Sequence, residues 1–124
     1  MTWDLADDGS WQLLRRICET HEVIWLHVAP PCGSASRARD RPMSSTNFGP
    51  RPLRSLRYPI GLPSLSGRDL ERVQLANKIY LATADFCAWL SNRNIYWSVQ
   101  NPGRFYLGVA LFCSASVISP VLRL

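Results

Sequence analysis

Lysine is almost missing from this chain: Lys78 is its single lysine, and 13 of its 14 basic residues are arginines. Histidine is scarce, and none of the four cysteines (Cys18, Cys32, Cys87 and Cys113) forms a CxxC pair. Cys18, His21, His27 and Cys32 match the ligand spacing of no common zinc module, so no metal is expected. A secretory leader is also not in evidence, because Leu5 and Ala6 are followed at once by Asp7 and Asp8. A reduced, intracellular protein is expected. Charged residues are only 19% of the chain and hydrophobic ones 47%, which excludes a charge-rich disordered segment. With 124 residues, the length allows one domain with a modest core.

The charge is unevenly placed. Between Arg37 and Arg57 lie six arginines (Arg37, Arg39, Arg41, Arg51, Arg54 and Arg57) and one acid, Asp40, so this window carries the whole net charge of +5. Arginine favours planar, bidentate contacts with phosphate or carboxylate. Three readings are open: a nucleic-acid backbone as partner, a loop that is solvated or paired internally, and a smaller anion or a partner protein.

Local patterning sets out the rest. Asp7, Asp8 or Ser10 can cap a first helix ending near Thr20, with Trp11, Leu14 and Cys18 on one stripe. Residues 23–28 are nearly all apolar without alternation, as in a parallel strand covered on both faces. Trp25, and Trp97 further on, are therefore expected in the core. Pro30-Pro31 stops this strand. Residues 33–66 hold five prolines and read as an irregular basic loop. Ser66 and Asp69 form a capping-box pattern, which opens a long helix to about Asn92. Leu70, Val73, Asn77, Tyr80, Ala84, Cys87 and Leu90 trace its buried stripe, with Asn77 its one polar interruption. A second strand follows at 95–99 and ends at Gln100-Asn101-Pro102-Gly103. Strand, helix and strand make a parallel β-α-β unit with a right-handed crossover. The loops after both strands then emerge side by side at the carboxyl edge of the sheet, where open α/β folds bind ligands. Residues 105–122 carry no charge. They are marginal for a membrane helix because of Ser114, Ser116, Ser119 and Pro120, and membrane association is not expected.

The chemistry centres on Pro30-Pro31-Cys32-Gly33-Ser34. A cysteine held at a sheet edge among arginines is a candidate nucleophile, although a cysteine after a strand is more often a small hydrophobe. The run Ala29-Pro30-Pro31-Cys32-Gly33-Ser34-Ala35-Ser36 resembles the nucleophile loop of C5-cytosine DNA methyltransferases. In that family Pro-Cys follows a sheet strand and the next strand ends in Glu-Asn-Val, where this chain has Gln100-Asn101-Pro102. The resemblance spans roughly residues 23–106.

The resemblance implies a partial Rossmann-like methyltransferase unit: one domain over 1–124, a basic loop at 33–66 and an apolar tail at 105–124. It implies that Cys32 attacks C6 of a cytosine, with Gln100 at the place of the family's acid. Pro31, Ser36 and Asn101 would line the base pocket, and the six loop arginines would contact DNA. The implied cofactor is S-adenosylmethionine. The family's Gly-rich donor loop has no counterpart before residue 23, however, and glutamine cannot transfer a proton as a carboxyl can. The expected function is thus a methyltransferase-like protein that is inactive or incomplete in this form. The alternative is a non-catalytic nucleic-acid-binding or protein-interaction module using the arginine loop. Self-association, or a partner completing the sheet, would cover its open edges.

Overall fold

The computed structural model describes residues 4–35, 39, 42–47 and 49–100. Four elements follow in order: α1 (Asp8–Thr20), β1 (Trp25–Val28), α2 (Gly67–Asn92) and β2 (Tyr96–Val99). Asp7 caps α1 by accepting from the Ser10 amide at 3.3 Å, satisfying one of the donors that every helix start leaves over. Trp11 and Cys18 lie on its buried stripe, and the Trp11 indole N–H donates to the Leu5 carbonyl at 2.8 Å.

The strands pair in parallel, Trp25 opposite Tyr96 and Val28 opposite Val99. With α1 and α2 they make a small α/β unit, the coarse fold expected from the sequence. Leu26 and Trp97 face the helices. They join Trp11, Cys18, Phe86, Leu90 and Ile95 in one core cluster. Phe86 sits between two indoles, with centroids 5.3 Å from Trp11 and 5.9 Å from Trp89.

Three expectations are corrected. Among the described residues the first strand is covered on one face only: Trp25 is 57% exposed and its partner Tyr96 75%. Side chains alternate along a strand, and the helices pack on the Leu26–Trp97 side. An uninterrupted apolar run cannot report which of its faces lacks a cover. Secondly, the capping box does not form. Ser66 makes no side-chain cap bond, and the Asp69 carboxylate is engaged instead by Arg51, whose Nε and Nη2 donate to one of its oxygens at 2.9 and 2.7 Å. Thirdly, the buried stripe of α2 runs through Val73, Ala76, Ile79, Tyr80, Thr83, Phe86, Cys87 and Leu90, leaving Leu70 exposed. The long helix serves two clusters, one at its middle through Ala76 and Tyr80 and one towards its C-terminal end through Phe86 and Leu90, and so buries a broader face than a single stripe.

Residues 33–66 carry neither helix nor strand where described. The segment is nonetheless pinned. Leu53 and Arg54 are buried, and the Leu62 amide donates to the Leu53 carbonyl at 3.0 Å. Gly61 has φ +130°, and a Cβ there would meet Val73 at 2.9 Å, so the loop passes against α2 where only glycine fits. No helix among the described residues is long and apolar enough to cross a membrane. The apolar tail at 105–124 lies outside the described residues.

Candidate functional site at the cysteine loop

The strand ladder fixes where the site begins. The Gln100 amide donates to the Val28 carbonyl at 2.9 Å, so the chain leaves β2 directly beside the start of the Pro30-Pro31 loop. The carboxyl ends of the two strands therefore adjoin, as the β-α-β reading expected, while Asn101-Pro102-Gly103 lies outside the described residues. Cys32 and Gln100 are both exposed there.

Around Cys32 the backbone is held from three distant parts of the chain. The Tyr80 hydroxyl, on α2, donates to the Pro31 carbonyl at 2.6 Å. Arg39 donates through Nε to the Gly33 carbonyl at 2.7 Å and through Nη1 to the Arg51 carbonyl at 3.1 Å. Arg54 donates to the Ser34 hydroxyl at 3.0 Å. A local turn closes the segment, with the Ala35 amide donating to the Cys32 carbonyl at 3.0 Å. Ser34 and Ala35 are buried while Cys32 stays exposed. A flexible loop loses conformational freedom when it engages a ligand; this one is ordered beforehand.

Arg54 is the pivot. Only 2% of it is exposed. Its Nη1 also donates to the Pro59 carbonyl at 2.8 Å and to Asn77 Oδ1 at 2.7 Å, and its guanidinium lies 5.3 Å from the Tyr80 ring centroid. The Asn77 amide nitrogen donates in turn to the Ile60 carbonyl at 2.8 Å. One side-chain network thus ties the cysteine loop, the basic loop and α2 together. Burial pushes Arg54 down from its usual range, and the Tyr80 hydroxyl opposes that shift. Desolvation likewise pushes the Tyr80 hydroxyl up, against hydrogen bonding to Ser34 and the charge of Arg54. Replacing Asn77 with alanine removes two of these bonds and leaves a buried guanidinium N–H short of an acceptor. Urea denaturation of Asn77→Ala is expected to show a loss of about 2–3 kcal/mol.

The expected phosphate-contacting arginines divide. Arg54 is buried and therefore does not reach a nucleic-acid backbone from the surface; the high cost of burying a cation hides such a residue from any reading based on charge alone. Arg39 braces the cysteine loop, and Arg51 pairs with Asp69. Arg57 is exposed, its guanidinium 5.5 Å from the Tyr58 ring centroid. Arg37, Arg41, Ser36 and Asn101 lie outside the described residues. Pro31 is in place as the acceptor for Tyr80. The anchoring roles of Tyr80 and Arg54 were not anticipated. Asn77, a polar residue inside an apolar helical stripe, was the available signal.

On the outer face of the sheet, His27 Nδ1 is 2.8 Å from the Ser98 hydroxyl, and the imidazole stacks on Trp25 at 6.0 Å. No group of three or more His, Cys, Asp or Glu suited to a metal occurs among the described residues. Comparison with protein families, with curated proteins and with solved structures returns no match.

Proposed function

We propose that this chain is a divergent relative of C5-cytosine methyltransferases that retains covalent capture of a pyrimidine base by Cys32. The supporting observation is the exposed Cys32 in a loop held at the Pro31 and Gly33 carbonyls and the Ser34 hydroxyl, following a strand whose last residue, Val28, accepts from the Gln100 amide.

The residues present do not fit the methyl donor. The chain before β1 folds as α1, with no strand-to-helix glycine loop, and its one glycine, Gly9, lies inside that helix. No step is therefore derived through the donor. What remains is addition. The Cys32 sulfur pair forms a bond to ring C6, the double bond at C6 opens, and its electrons take up a proton at position 5. The thiol proton balances the one gained, so the step needs no oxidant or co-reactant. Gln100 can hydrogen-bond the base edge and hold the ring, but it supplies no proton. A base inside a duplex presents neither face, so a single-stranded or extruded base is the substrate.

The test uses a single-stranded oligonucleotide carrying 5-azacytosine, whose nitrogen at position 5 makes C6 more electrophilic. A denaturing gel is expected to show a shifted, heat-stable species with the wild-type chain and none with Cys32→Ser. Equal trapping by both, or by neither, would overturn the proposal.

The alternative, a binding module working through the arginine loop, is less well supported. Of the four arginines described in that window, Arg39, Arg51 and Arg54 are already engaged within the protein.

A further inference from the structure

We infer that the Cys32 loop is selective for anionic substrates because Arg54 places an unneutralised buried positive charge beneath it.

Arg54 donates to three acceptors. They are the Ser34 hydroxyl, the Pro59 carbonyl and the Asn77 amide oxygen, all of them neutral. Nε has no partner. Neutral dipoles solvate a cation without cancelling its net charge, and arginine does not shed its proton under ordinary conditions. Positions 42–65 contain no Asp or Glu, no ion pair to Arg54 occurs among the described residues, and Asp40 lies outside them. Among the other acids, Asp69 is engaged by Arg51 and approached by Arg72, while Glu71 and Asp85 are exposed on α2. The field of the buried charge is therefore left over, and inside a protein it is screened less than a surface charge.

Ser34, which Arg54 touches, is two residues from Cys32, so the guanidinium lies within roughly 15 Å of the thiol. Tyr80 bridges the same space. Its ring faces Arg54 and its hydroxyl donates to Pro31, the residue before Cys32. An electrophile arriving at Cys32 enters this field. One that carries a phosphate or carboxylate gains; a neutral one does not. The inference deepens the proposed base capture by naming its substrate as a phosphate-bearing nucleotide, and for that identity it rests on the proposal. The charge preference itself has a separate readout.

The experiment compares alkylation of Cys32 by iodoacetate, an anion, and by iodoacetamide, its neutral analogue. Peptide-resolved mass spectrometry follows the thiol at low ionic strength. The ratio of the two rates reports local charge, because looseness of the loop or a change in thiol ionisation alters both rates together. In Arg54→Met the iodoacetate-to-iodoacetamide ratio is expected to fall by about threefold or more, consistent with a unit charge at this range. Arg54→Lys is expected to keep the ratio, and Arg57→Gln, on the exposed loop, to change it little. In the wild-type chain, added salt is expected to lower the ratio, a reading independent of whether Arg54→Met folds. A ratio unaltered in folded Arg54→Met, an equal fall in Arg57→Gln, or indifference of the wild-type ratio to salt would overturn the inference. Failure of base trapping with the ratio behaving as expected would overturn the proposed function and leave the charge preference standing.

Discussion

Replacing Phe86 with alanine is expected to unfold the protein, or to leave it with little measurable stability. The ring is 1% exposed and lies between Trp11 of α1 and Trp89 of α2, in the cluster that also takes Leu26 and Trp97 from the sheet. Removing a buried phenyl ring costs about 3–5 kcal/mol, through lost transfer free energy and the cavity left behind. A small domain has only about 5–15 kcal/mol in all, and a two-stranded sheet with two helices belongs at the low end of that range. Phe86→Leu keeps most of the volume and is the appropriate control. Urea denaturation followed by tryptophan fluorescence should show a midpoint for Phe86→Leu and a lost or strongly lowered one for Phe86→Ala. A Phe86→Ala midpoint close to the wild type would mean that the two indoles do not depend on the ring between them.

The second large effect is alkaline. Burial pushes the Cys87 thiol up to about 12, against an ordinary value of 9.0. The folded state therefore holds a proton that the unfolded state releases. This contribution is fully present below about pH 9 and is lost as pH rises towards about 12. At about 1.4 kcal/mol per unit, the fall attributable to this one thiol reaches roughly 4 kcal/mol. Desolvation raises Cys18 and Tyr80 as well, with the same sign. The lowered Arg54 has the opposite sign. Urea midpoints measured at intervals from pH 8 to pH 11 are expected to fall continuously, and less steeply in Cys87→Ala. An equally steep fall in that variant would remove Cys87 as the cause.

The same burial separates the thiols chemically. At pH 8 a thiol titrating near 12 is ionised in roughly one molecule in ten thousand, and the thiolate is the nucleophile. Cys32 differs from Cys87 in being exposed on a fixed loop, which is why the proposed chemistry is assigned to it.

The helices, the strands and their parallel pairing were legible because each depends on local chemistry: an acidic cap before Gly9, apolar runs ended by prolines, and a helical period from Val73 to Leu90. The neighbouring ends of β1 and β2, Gln100 beside Val28, followed from the parallel connection alone. The cover of the sheet was not legible, since Trp25 and Leu26 are equally apolar and only the placement of α1 and α2 decides which of them is sheltered. Nor were the anchors of the cysteine loop. Arg54 looked like its neighbours in a basic stretch, and nothing local distinguishes a guanidinium that will meet Ser34, Pro59 and Asn77 from one that will meet water. Those partners are 20, 5 and 23 residues away from it. The capping-box expectation failed for a related reason: Asp69 is engaged by Arg51, 18 residues earlier.

The parallel pairing also has a consequence for how the chain is made. His27 meets Ser98 across 71 positions of sequence, so β1 leaves the ribosome long before the strand that pairs with it exists. At about 5–20 residues per second, that interval lasts roughly 4–14 seconds. Throughout it the segment around Ile24, Trp25 and Leu26 has no native partner strand, and the carbonyl of Pro31 waits 49 positions for the Tyr80 hydroxyl. The nascent chain is thus most open to aggregation before α2 and β2 are complete. The geometry around Cys32 can be finished earlier, as soon as the middle of α2 exists, whereas the sheet must wait for β2.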